Sequence, residues 1–576
     1  MQIFRPLFNC TWFVIFILIT TPSLSAALAV SISPKRSSVS NSIVKRASTK
    51  SSTGNKIYLQ SSEVNKILNQ SLILKKVYNL NSNGENNMYQ ISEEPNPPRL
   101  EWFANAKLGI FIHWGIYAVD GTSESWSFHN RTTSFPQYMS QLQRFGAQNY
   151  NPSQWAQLIK NSGAQYAVIT LQHHDGVALF NTKQLTPATD LPTSSNPSTF
   201  APDPKFKLWN PKLPLSTLYQ SPAKRDLIQP LAQELRKQNI KFGAYYSLLD
   251  WSHPNYPGFF KDQSRYKLSE DTVRWQKYLS FMHAQINEIN QMYQPDLFWF
   301  DGDWEHSLQE WNAQKIHDDI RRTNPNTVIN GRLKELGDYA TPEQNMPITP
   351  PATVPWELCM TTNDNWGYRP HDSAWKSSNQ IIRIFADVLG MGGNLLLDIG
   401  PKADGTIPIE QEQILKELGR WTHKHQEAIY STRAGLPHGH YYGPSTLSQD
   451  SQTLYLFITQ VQGVPMDGKY ITDDELEDAI NEALVKVNED PITFDPIDLP
   501  KYSVMLKGLR NEIISAEVLG TDTKLKPTIS GKISWSSVPG TVFIDVPNDV
   551  LDEQVTVLKL TLKGPLSLYR GQGGFH

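Results

Sequence analysis

The segment Leu108-Gly-Ile-Phe-Ile112 contains only apolar residues, and His113 and Trp114 follow it directly. A run of this length without a polar side chain is typical of a strand that is buried on both faces of a sheet. Similar runs recur along the chain, and stretches with the period of an amphipathic helix separate them. The further runs lie at 166–170, 241–246, 297–300, 327–330 and 395–397, and the helical stretches at 153–161, 226–238, 272–293, 309–322, 379–389 and 410–428.

Buried strands that alternate with helices predict a parallel sheet covered by helices on both faces. This many units favours a closed barrel over an open doubly wound sheet. No glycine-rich phosphate loop follows any of the apolar runs, which weighs against nucleotide binding. We therefore predict an α/β fold in which a (β/α)8-like, TIM-type barrel occupies residues 96–435.

The pattern changes after this region. Alternating, β-branched segments occur at 453–459, 504–506, 541–545 and 555–562. Short strands of this kind are typical of an antiparallel sheet. We predict that residues 436–576 form a C-terminal antiparallel β-sandwich.

The N-terminus has the pattern of a secretory signal. Arg5 precedes a short apolar run, and small residues at 23–26 offer a cleavage site. We predict a signal peptide over 1–26, a weakly ordered leader or pro-segment over 27–95, and no stable membrane insertion once the signal is removed. The protein is then expected outside the cell or in the lumen of the secretory pathway or lysosome. The sequons at Asn69 and Asn130 would be available for glycosylation there.

Charge and aromatic content limit the range of partners. The net charge is −3, which gives no sign of a nucleic-acid-binding protein. The chain has 16 Trp, 23 Tyr and 23 Phe. This content fits a large core first and a carbohydrate site second, because the apolar faces of sugars stack on aromatic rings. The sequence leaves the oligomeric state open.

Polar side chains follow five of the apolar runs. The carboxyl ends of barrel strands meet at one rim, where TIM-type enzymes have their active sites. A single histidine at such a position is more often structural, but five strand ends of this kind predict a shared site. The polar residues are His113, His173, His174, Asp175, Ser247, Asp250, Asp301, Asp303 and Arg332.

Three chemistries could use these residues. A catalytic metal could be ligated by His113, His173, His174 and Asp301. However, neighbouring residues on a strand point in opposite directions, so the adjacent histidines would reach one ion only if the chain turned there. A serine mechanism lacks a nucleophile elbow. A pair of carboxylates, Asp301 and a downstream Glu, fits better, with His and Trp side chains holding a sugar.

Several motifs in one order carry a resemblance to a known family. They include Ile112-His-Trp-Gly115, Gln172-His-His-Asp175, Trp299-Phe-Asp301-Gly302, Asn330-Gly-Arg332, Tyr339-Ala-Thr-Pro-Glu-Gln344 and Asn394-Leu-Leu-Leu-Asp-Ile-Gly-Pro401. Over residues 98–435 the chain resembles the α-L-fucosidases of glycoside hydrolase family 29. The resemblance implies an exo-glycosidase that releases terminal α-L-fucose with retention, through a covalent fucosyl-enzyme, from fucosylated oligosaccharides or glycoproteins. It implies no cofactor and no metal.

The resemblance also implies residue roles. Asp301 matches the nucleophile of the family. Trp299 would line the sugar site, and Trp126 would pack beside the C6 methyl group. Further sugar contacts are implied for His113, His173, His174, Tyr246 and Arg332, although Tyr245 could exchange with Tyr246 because neighbours on a strand face opposite ways.

The acid/base is less well defined, because the family varies at this position. We favour Glu343, and Glu357 is the rival, with the alternative that Glu357 is a buried residue that orients an Arg or Trp. The chain also departs from the family pattern at Ser125, where a Glu is frequent, and at Asp398, where Asn is usual.

Two other functions stay open. One is a fucose-binding, lectin-like protein with an inactive barrel, which would share the fold but show no turnover. The other is a metal-dependent barrel hydrolase, which would lose activity when a chelator removes the metal. The sequence does not specify the linkage that is cleaved.

Overall fold

The computed structural model describes residues 97–184, 221–351, 355–459 and 502–571, together with the backbone of four short strands nearer the N-terminus. Residues Met1–Pro95 cluster as one unit and Asn96–His576 as another. In the first unit Val14–Thr21 pairs with Leu24–Ser31, and Ser48–Lys50 pairs with Lys56–Tyr58, both antiparallel. The predicted signal peptide and leader, with the sequon at Asn69, otherwise lie outside the described residues.

The second unit is built on a parallel sheet. Its strands are β1 (Leu108–Ile112), β2 (Tyr166–Gln172), β3 (Lys241–Ser247), β4 (Leu297–Asp301), β5 (Val328–Ile329), β6 (Glu357–Thr361) and β7 (Asn394–Ile399). They pair in the order β5-β4-β3-β2-β1-β7-β6. The sequence predicted all of them except β6, where an initial glutamate and a cysteine interrupt the apolar pattern.

The two edge strands are linked through the segment between them. Tyr339 forms a parallel bridge with Asn330, next to the end of β5, and Ala340 forms one with Trp356, next to the start of β6. The Glu357 N–H donates to the Ala340 carbonyl at 2.9 Å. This segment therefore satisfies backbone groups at both edges of the seven-stranded sheet.

Helices flank the sheet: the one that contains Leu100 and Phe103 packs against its inner face, and the other long ones cover its outer face. They are α1 (Pro98–Ala106), α2 (Pro152–Asn161), α3 (Ile228–Lys237), α4 (Thr272–Tyr293), α5 (Ala313–Thr323), α6 (Ser378–Gly390) and α7 (Ile409–Lys424), with shorter ones at Trp126–His129, Phe135–Met139, Leu308–Trp311 and Gln426–Ile429. The predicted helix at 309–322 is divided, because Asn312 adopts a left-handed conformation with φ 50°. The predicted helix at 410–428 is likewise divided, at His425. Among the described residues, no helix has the length and apolar character needed to cross a membrane.

Alternation along the strands sorts the side chains into two buried layers. Phe111, Tyr245 and Trp299 belong to a cluster on the inner face of the sheet. Their neighbours Ile112, Tyr246 and Phe300 belong to the larger cluster beneath the helices. Strand parity therefore decides which residues reach the interior, where the candidate site lies.

The C-terminal region is antiparallel. Its strands are β8 (Thr432–Ala434), β9 (Ser445–Ser448), β10 (Thr453–Ile458), β11 (Tyr502–Lys507), β12 (Ile513–Val518), β13 (Lys524–Leu525), β14 (Thr528–Ser530), β15 (Thr541–Val546) and β16 (Thr556–Leu562). Six form the sheet β8-β9-β10-β16-β12-β13 and three the sheet β11-β15-β14. Side chains of both sheets share one buried cluster. Asp552 accepts hydrogen bonds from Arg420 and Lys424 of α7, which ties this region to the helix layer.

Candidate active site

Asp301 is the last residue of β4, and its carboxylate lies among three polar side chains. Tyr245 donates its hydroxyl to Asp301 Oδ2 at 2.8 Å. Arg332 donates from Nη1 to Asp301 Oδ1 at 3.0 Å. His174 Nε2 lies 3.7 Å from Oδ2. The side chain is 11% exposed, so it stays reachable from the rim while both oxygens are held in place.

Arg332 joins two carboxylates. Its Nη2 donates to Glu343 Oε2 at 2.5 Å, while Nη1 is bonded to Asp301. The guanidinium carbon lies 4.5 Å from the centre of the Trp299 ring, a distance typical of a cation–π contact. The fixed fork of an arginine suits this arrangement, because it presents several N–H donors in one plane.

Glu343 lies in the segment that links β5 to β6, and its backbone forms a parallel bridge with Cys359. Its side chain is 40% exposed. Glu343 is therefore open to solvent and joined to Asp301 through one guanidinium.

Glu357 occupies a different environment. It is the first residue of β6, and its side chain is fully buried in the sheet interior. It accepts hydrogen bonds from Tyr166 at 2.5 Å, from Trp299 Nε1 at 3.0 Å and from Tyr339 at 3.3 Å. Burial raises the pKa of Glu357 to about 7. The residue has the contacts expected of a group that orients Trp299 from below.

Glu357→Gln is expected to change how stability depends on pH. Burial raises the Glu357 pKa from 4.5 to about 7, so the folded protein holds a proton that the unfolded chain has released across this range. Stability therefore falls as pH rises from about 4.5 to about 7, by on the order of 3 kcal/mol for this group alone. Gln cannot ionise, so the variant should lose less stability between pH 5 and pH 8. Urea unfolding of both proteins at the two pH values measures the difference.

The matched control is Glu410→Gln, at the exposed start of α7. It should leave the pH dependence of unfolding as it is in the unchanged protein. Equal losses of stability in Glu357→Gln and the unchanged protein would contradict a raised pKa for this group.

Each of the three predicted sugar-binding histidines has its Nδ1 bonded to a neighbour. His113 Nδ1 lies 2.6 Å from Asp398 Oδ1, His173 Nδ1 2.5 Å from Ser125 Oγ, and His174 Nδ1 2.6 Å from Ser247 Oγ. Burial, and to a smaller extent nearby charged groups, holds the pKa of all three well below the usual histidine value. They are therefore neutral at pH 7, with one donor and one acceptor nitrogen each.

The chain turns at the adjacent histidines, so the alternation that would separate His173 from His174 does not apply. β2 ends at Gln172, and the chain turns at His174 and Asp175. The two rings lie 4.2 Å apart between centres, and a ring nitrogen of each lies within 4.8 Å of an Asp301 carboxylate oxygen. Leaving the strand removes the alternation between neighbouring residues.

The choice of Tyr246 over Tyr245 is corrected. The Tyr246 hydroxyl donates to Gln285 of α4 at 2.7 Å, in the layer beneath the helices. Tyr245 instead contacts Asp301 and stacks beside Trp299, with ring centres 5.6 Å apart. The register explains the difference, because Tyr245 pairs with the inward-facing Trp299 and Tyr246 with the outward-facing Phe300.

The two predicted tryptophans differ in exposure. Trp299 is buried beneath Arg332 as part of the floor of the site. Trp126 starts a short helix at the rim, is half-buried, and meets the His174 ring edge-on at 5.5 Å. Both therefore lie around Asp301.

Sequence reasoning missed two contacts. Trp366 packs against the His113 ring at 4.9 Å, and Asp398 holds His113 Nδ1. Ser125, a departure from the family pattern, holds His173. Asp398 reaches His113 because the ends of β1 and β7 lie side by side, with Ile112 paired with Ile399. A single sequence does not reveal which strands are neighbours, so it carried no signal for this contact.

His173, His174 and Asp301 also form a set that could hold a metal ion, with candidate ligand atoms within 4.8 Å of one another. The donor set is chemically suitable for a transition metal. However, the guanidinium of Arg332, 3.0 Å from Asp301, already supplies a positive charge, and a second cation beside it would be repelled.

Comparisons with known proteins identify the family of this chain. The family model described as Alpha-L-fucosidase matches residues 76–191 and 203–427. Tissue alpha-L-fucosidase of Bos taurus is 30% identical over 366 residues, which cover 58% of this chain and 70% of that protein. The human tissue enzyme is also 30% identical, over 371 residues with the same coverage. The structure of alpha-L-fucosidase isoenzyme 1 from Paenibacillus thiaminolyticus is 27% identical and superposes with a TM-score of 0.62, covering 81% of this chain and 99% of that one. The chain belongs to the α-L-fucosidase family, glycoside hydrolase family 29.

Proposed function

We propose that the protein hydrolyses terminal α-L-fucose from fucosylated oligosaccharides or glycoproteins with retention of configuration. The observation that carries this proposal is the attachment of Asp301 and Glu343 to one guanidinium, that of Arg332. A retaining glycosidase needs two carboxyl groups about 5–5.5 Å apart, closer than an inverting pair. Two carboxylates on a single arginine fork suit the shorter spacing.

In the first step Asp301 attacks the anomeric carbon. The bond from that carbon to the leaving oxygen breaks, and the leaving oxygen takes the proton of Glu343. Fucose is left as an ester of Asp301. Tyr245 and Arg332, which hold the two carboxylate oxygens in the free enzyme, orient the attack.

In the second step Glu343 acts as a base. It takes a proton from water, the water oxygen attacks the anomeric carbon, and the ester bond to Asp301 breaks. Two inversions give net retention, and both carboxyl groups return to their starting states.

The remaining residues around Asp301 recognise the sugar. The neutral His113, His173 and His174 supply fixed donors and acceptors for hydroxyl groups, because their Nδ1 atoms are already bonded. Trp126 offers apolar surface for the C6 methyl group, and Trp299 lines the floor of the sugar site beneath Arg332. The segment 339–343 is proposed to take the place of an eighth strand and so to complete a (β/α)8-like barrel.

The compartment is proposed from the sequence. An N-terminal signal peptide would direct the protein to the secretory pathway, outside the cell or in a lysosomal lumen. Asn130, at an exposed position, is then an acceptor for glycosylation.

The test is the stereochemistry of the first product. With p-nitrophenyl α-L-fucoside as substrate, proton NMR should show α-L-fucose first, with the β anomer appearing only as the sugar equilibrates. β-L-Fucose as the first product would contradict retention. If the protein turns over neither this compound nor any member of a panel of fucosylated oligosaccharides, the lectin-like alternative is favoured.

The metal-dependent alternative is favoured by one observation, the proximity of His173, His174 and Asp301. The same assay separates it. Activity that persists after dialysis against a chelator supports the carboxylate mechanism, and activity that is lost and then restored by zinc supports the metal.

A further inference from the structure

Trp304 differs from most tryptophans near the barrel because it is open to solvent. Its residue exposure is 48%, whereas Trp251, Trp299 and Trp311 around it are fully buried. An exposed indole leaves a large apolar area in water, and Trp is enriched at binding interfaces, where a partner covers that area.

The two residues that flank Trp304 are each held in place by hydrogen bonds. Asp303 accepts a hydrogen bond from the Lys334 N–H at 2.8 Å through its carboxylate and one from Trp311 Nε1 at 3.0 Å through its carbonyl. Glu305 accepts from Trp251 Nε1 at 3.0 Å and from Tyr256 at 2.5 Å. Trp304 is therefore presented on a braced turn.

The indole stands beside the candidate catalytic centre. It is only three positions after Asp301, and Gly302, with φ 82°, turns the chain out of β4 between them. The Trp304 ring lies nearly parallel to that of Trp126, at 14° and 6.3 Å between centres. It also meets the His174 ring edge-on at 5.8 Å. Its inner contacts are thus residues proposed to hold fucose, and the rest of the ring is free for something beyond fucose.

We propose that Trp304 is the stacking platform of an aglycone subsite, which binds the apolar face of the sugar to which fucose is attached. This inference rests on the proposed function and extends it, because it assigns binding energy to the saccharide beyond the cleaved bond. The apolar face of a sugar can stack on an indole, and a sugar is the group that the proposed reaction places just beyond the cleaved bond. Substrates with a saccharide aglycone gain from the platform, and those without one do not.

The experiment compares kcat/KM for two kinds of substrate. α-L-Fucosyl fluoride has no aglycone ring to stack. The second substrate is whichever of the α1-2, α1-3, α1-4 and α1-6 fucosyl disaccharides the unchanged enzyme cleaves fastest. Trp304→Ala is expected to lower kcat/KM for the disaccharide by roughly 10- to 100-fold, and to leave that for the fluoride within about twofold.

Two further variants complete the test. Trp304→Phe keeps an aromatic face and should recover most of the disaccharide activity. Trp535→Ala removes another exposed indole, 84% exposed and on the C-terminal region, and should change neither substrate. Thermal unfolding of each variant checks that the fold is retained.

Equal losses on fluoride and disaccharide would overturn the proposal, because Trp304 would then act only through Trp126 or His174. Unchanged activity on both would overturn it as well, as would an enzyme that cleaves the fluoride but no disaccharide. If the unchanged enzyme cleaves neither kind of substrate, the proposed function itself fails and the subsite with it.

Discussion

Asp301→Ala is expected to lower kcat/KM for p-nitrophenyl α-L-fucoside by on the order of 10⁴-fold. The substitution removes the carboxylate that would form the covalent intermediate, while Tyr245 and Arg332 lose a shared partner. The cavity left behind can admit a small anion. Azide should therefore restore turnover by attacking the anomeric carbon from the vacated face, and the product should be β-L-fucosyl azide.

Asp318→Ala is the matched control for this prediction. Asp318 lies on the exposed side of α5 and bonds to Gln314 and His317 of the same helix. Its removal should leave kcat/KM unchanged. Full activity of Asp301→Ala, or rescue by azide that gives the α product, would contradict the assignment of Asp301 as nucleophile.

Glu343→Ala is expected to have an effect that depends on the leaving group. Loss of a general acid costs about 10²- to 10⁴-fold when the leaving oxygen needs a proton. A fucosyl disaccharide has such a leaving group, and 2,4-dinitrophenyl α-L-fucoside does not. The variant should therefore lose the disaccharide activity selectively, and azide should trap its intermediate as α-L-fucosyl azide.

Glu357→Gln provides the contrast, because Glu357 is the rival for the same role. In the variant the amide oxygen can accept from Trp299 and Tyr339, and the amide nitrogen can donate to the Tyr166 hydroxyl oxygen, so the contact with Tyr166 is kept with its direction reversed. In Glu357→Gln, the ratio of kcat/KM for the fucosyl disaccharide to kcat/KM for 2,4-dinitrophenyl α-L-fucoside should stay as in the unchanged enzyme. If that ratio collapses in Glu357→Gln and holds in Glu343→Ala, the roles must be exchanged.

The sequence predicted the parts of the fold that follow from local pattern. β1 and α4 were predicted at their observed bounds, because an uninterrupted apolar run and a long amphipathic period each have one simple interpretation. β6 was missed because its inward residues Glu357 and Cys359 are not the aliphatic side chains expected in a barrel strand. Glu357 is tolerated there only because three donors from other elements satisfy it, which no local pattern reveals.

The site was predicted to the extent that strand ends define it. Asp301, His113 and Arg332 were predicted from their positions after apolar runs and from the family resemblance. The choice between Tyr245 and Tyr246 depended on which face of β3 is inward, and the orientation of His173 and His174 depended on where β2 ends. These are properties of register and of turns, which one sequence specifies weakly.

The position of Arg332 between two carboxyl groups has a consequence for the charge of the reacting enzyme. In the proposed mechanism Asp301 carries the negative charge before attack, and Glu343 supplies the proton. In the proposed fucosyl-enzyme, Asp301 would be a neutral ester and Glu343 would be the anion. Arg332 is within hydrogen-bond distance of both groups, so a single fixed cation faces one anion at each stage, and the negative charge passes from one end of its fork to the other. Because the arginine need not move, the enzyme avoids the reorganisation that a charge shift in water would require.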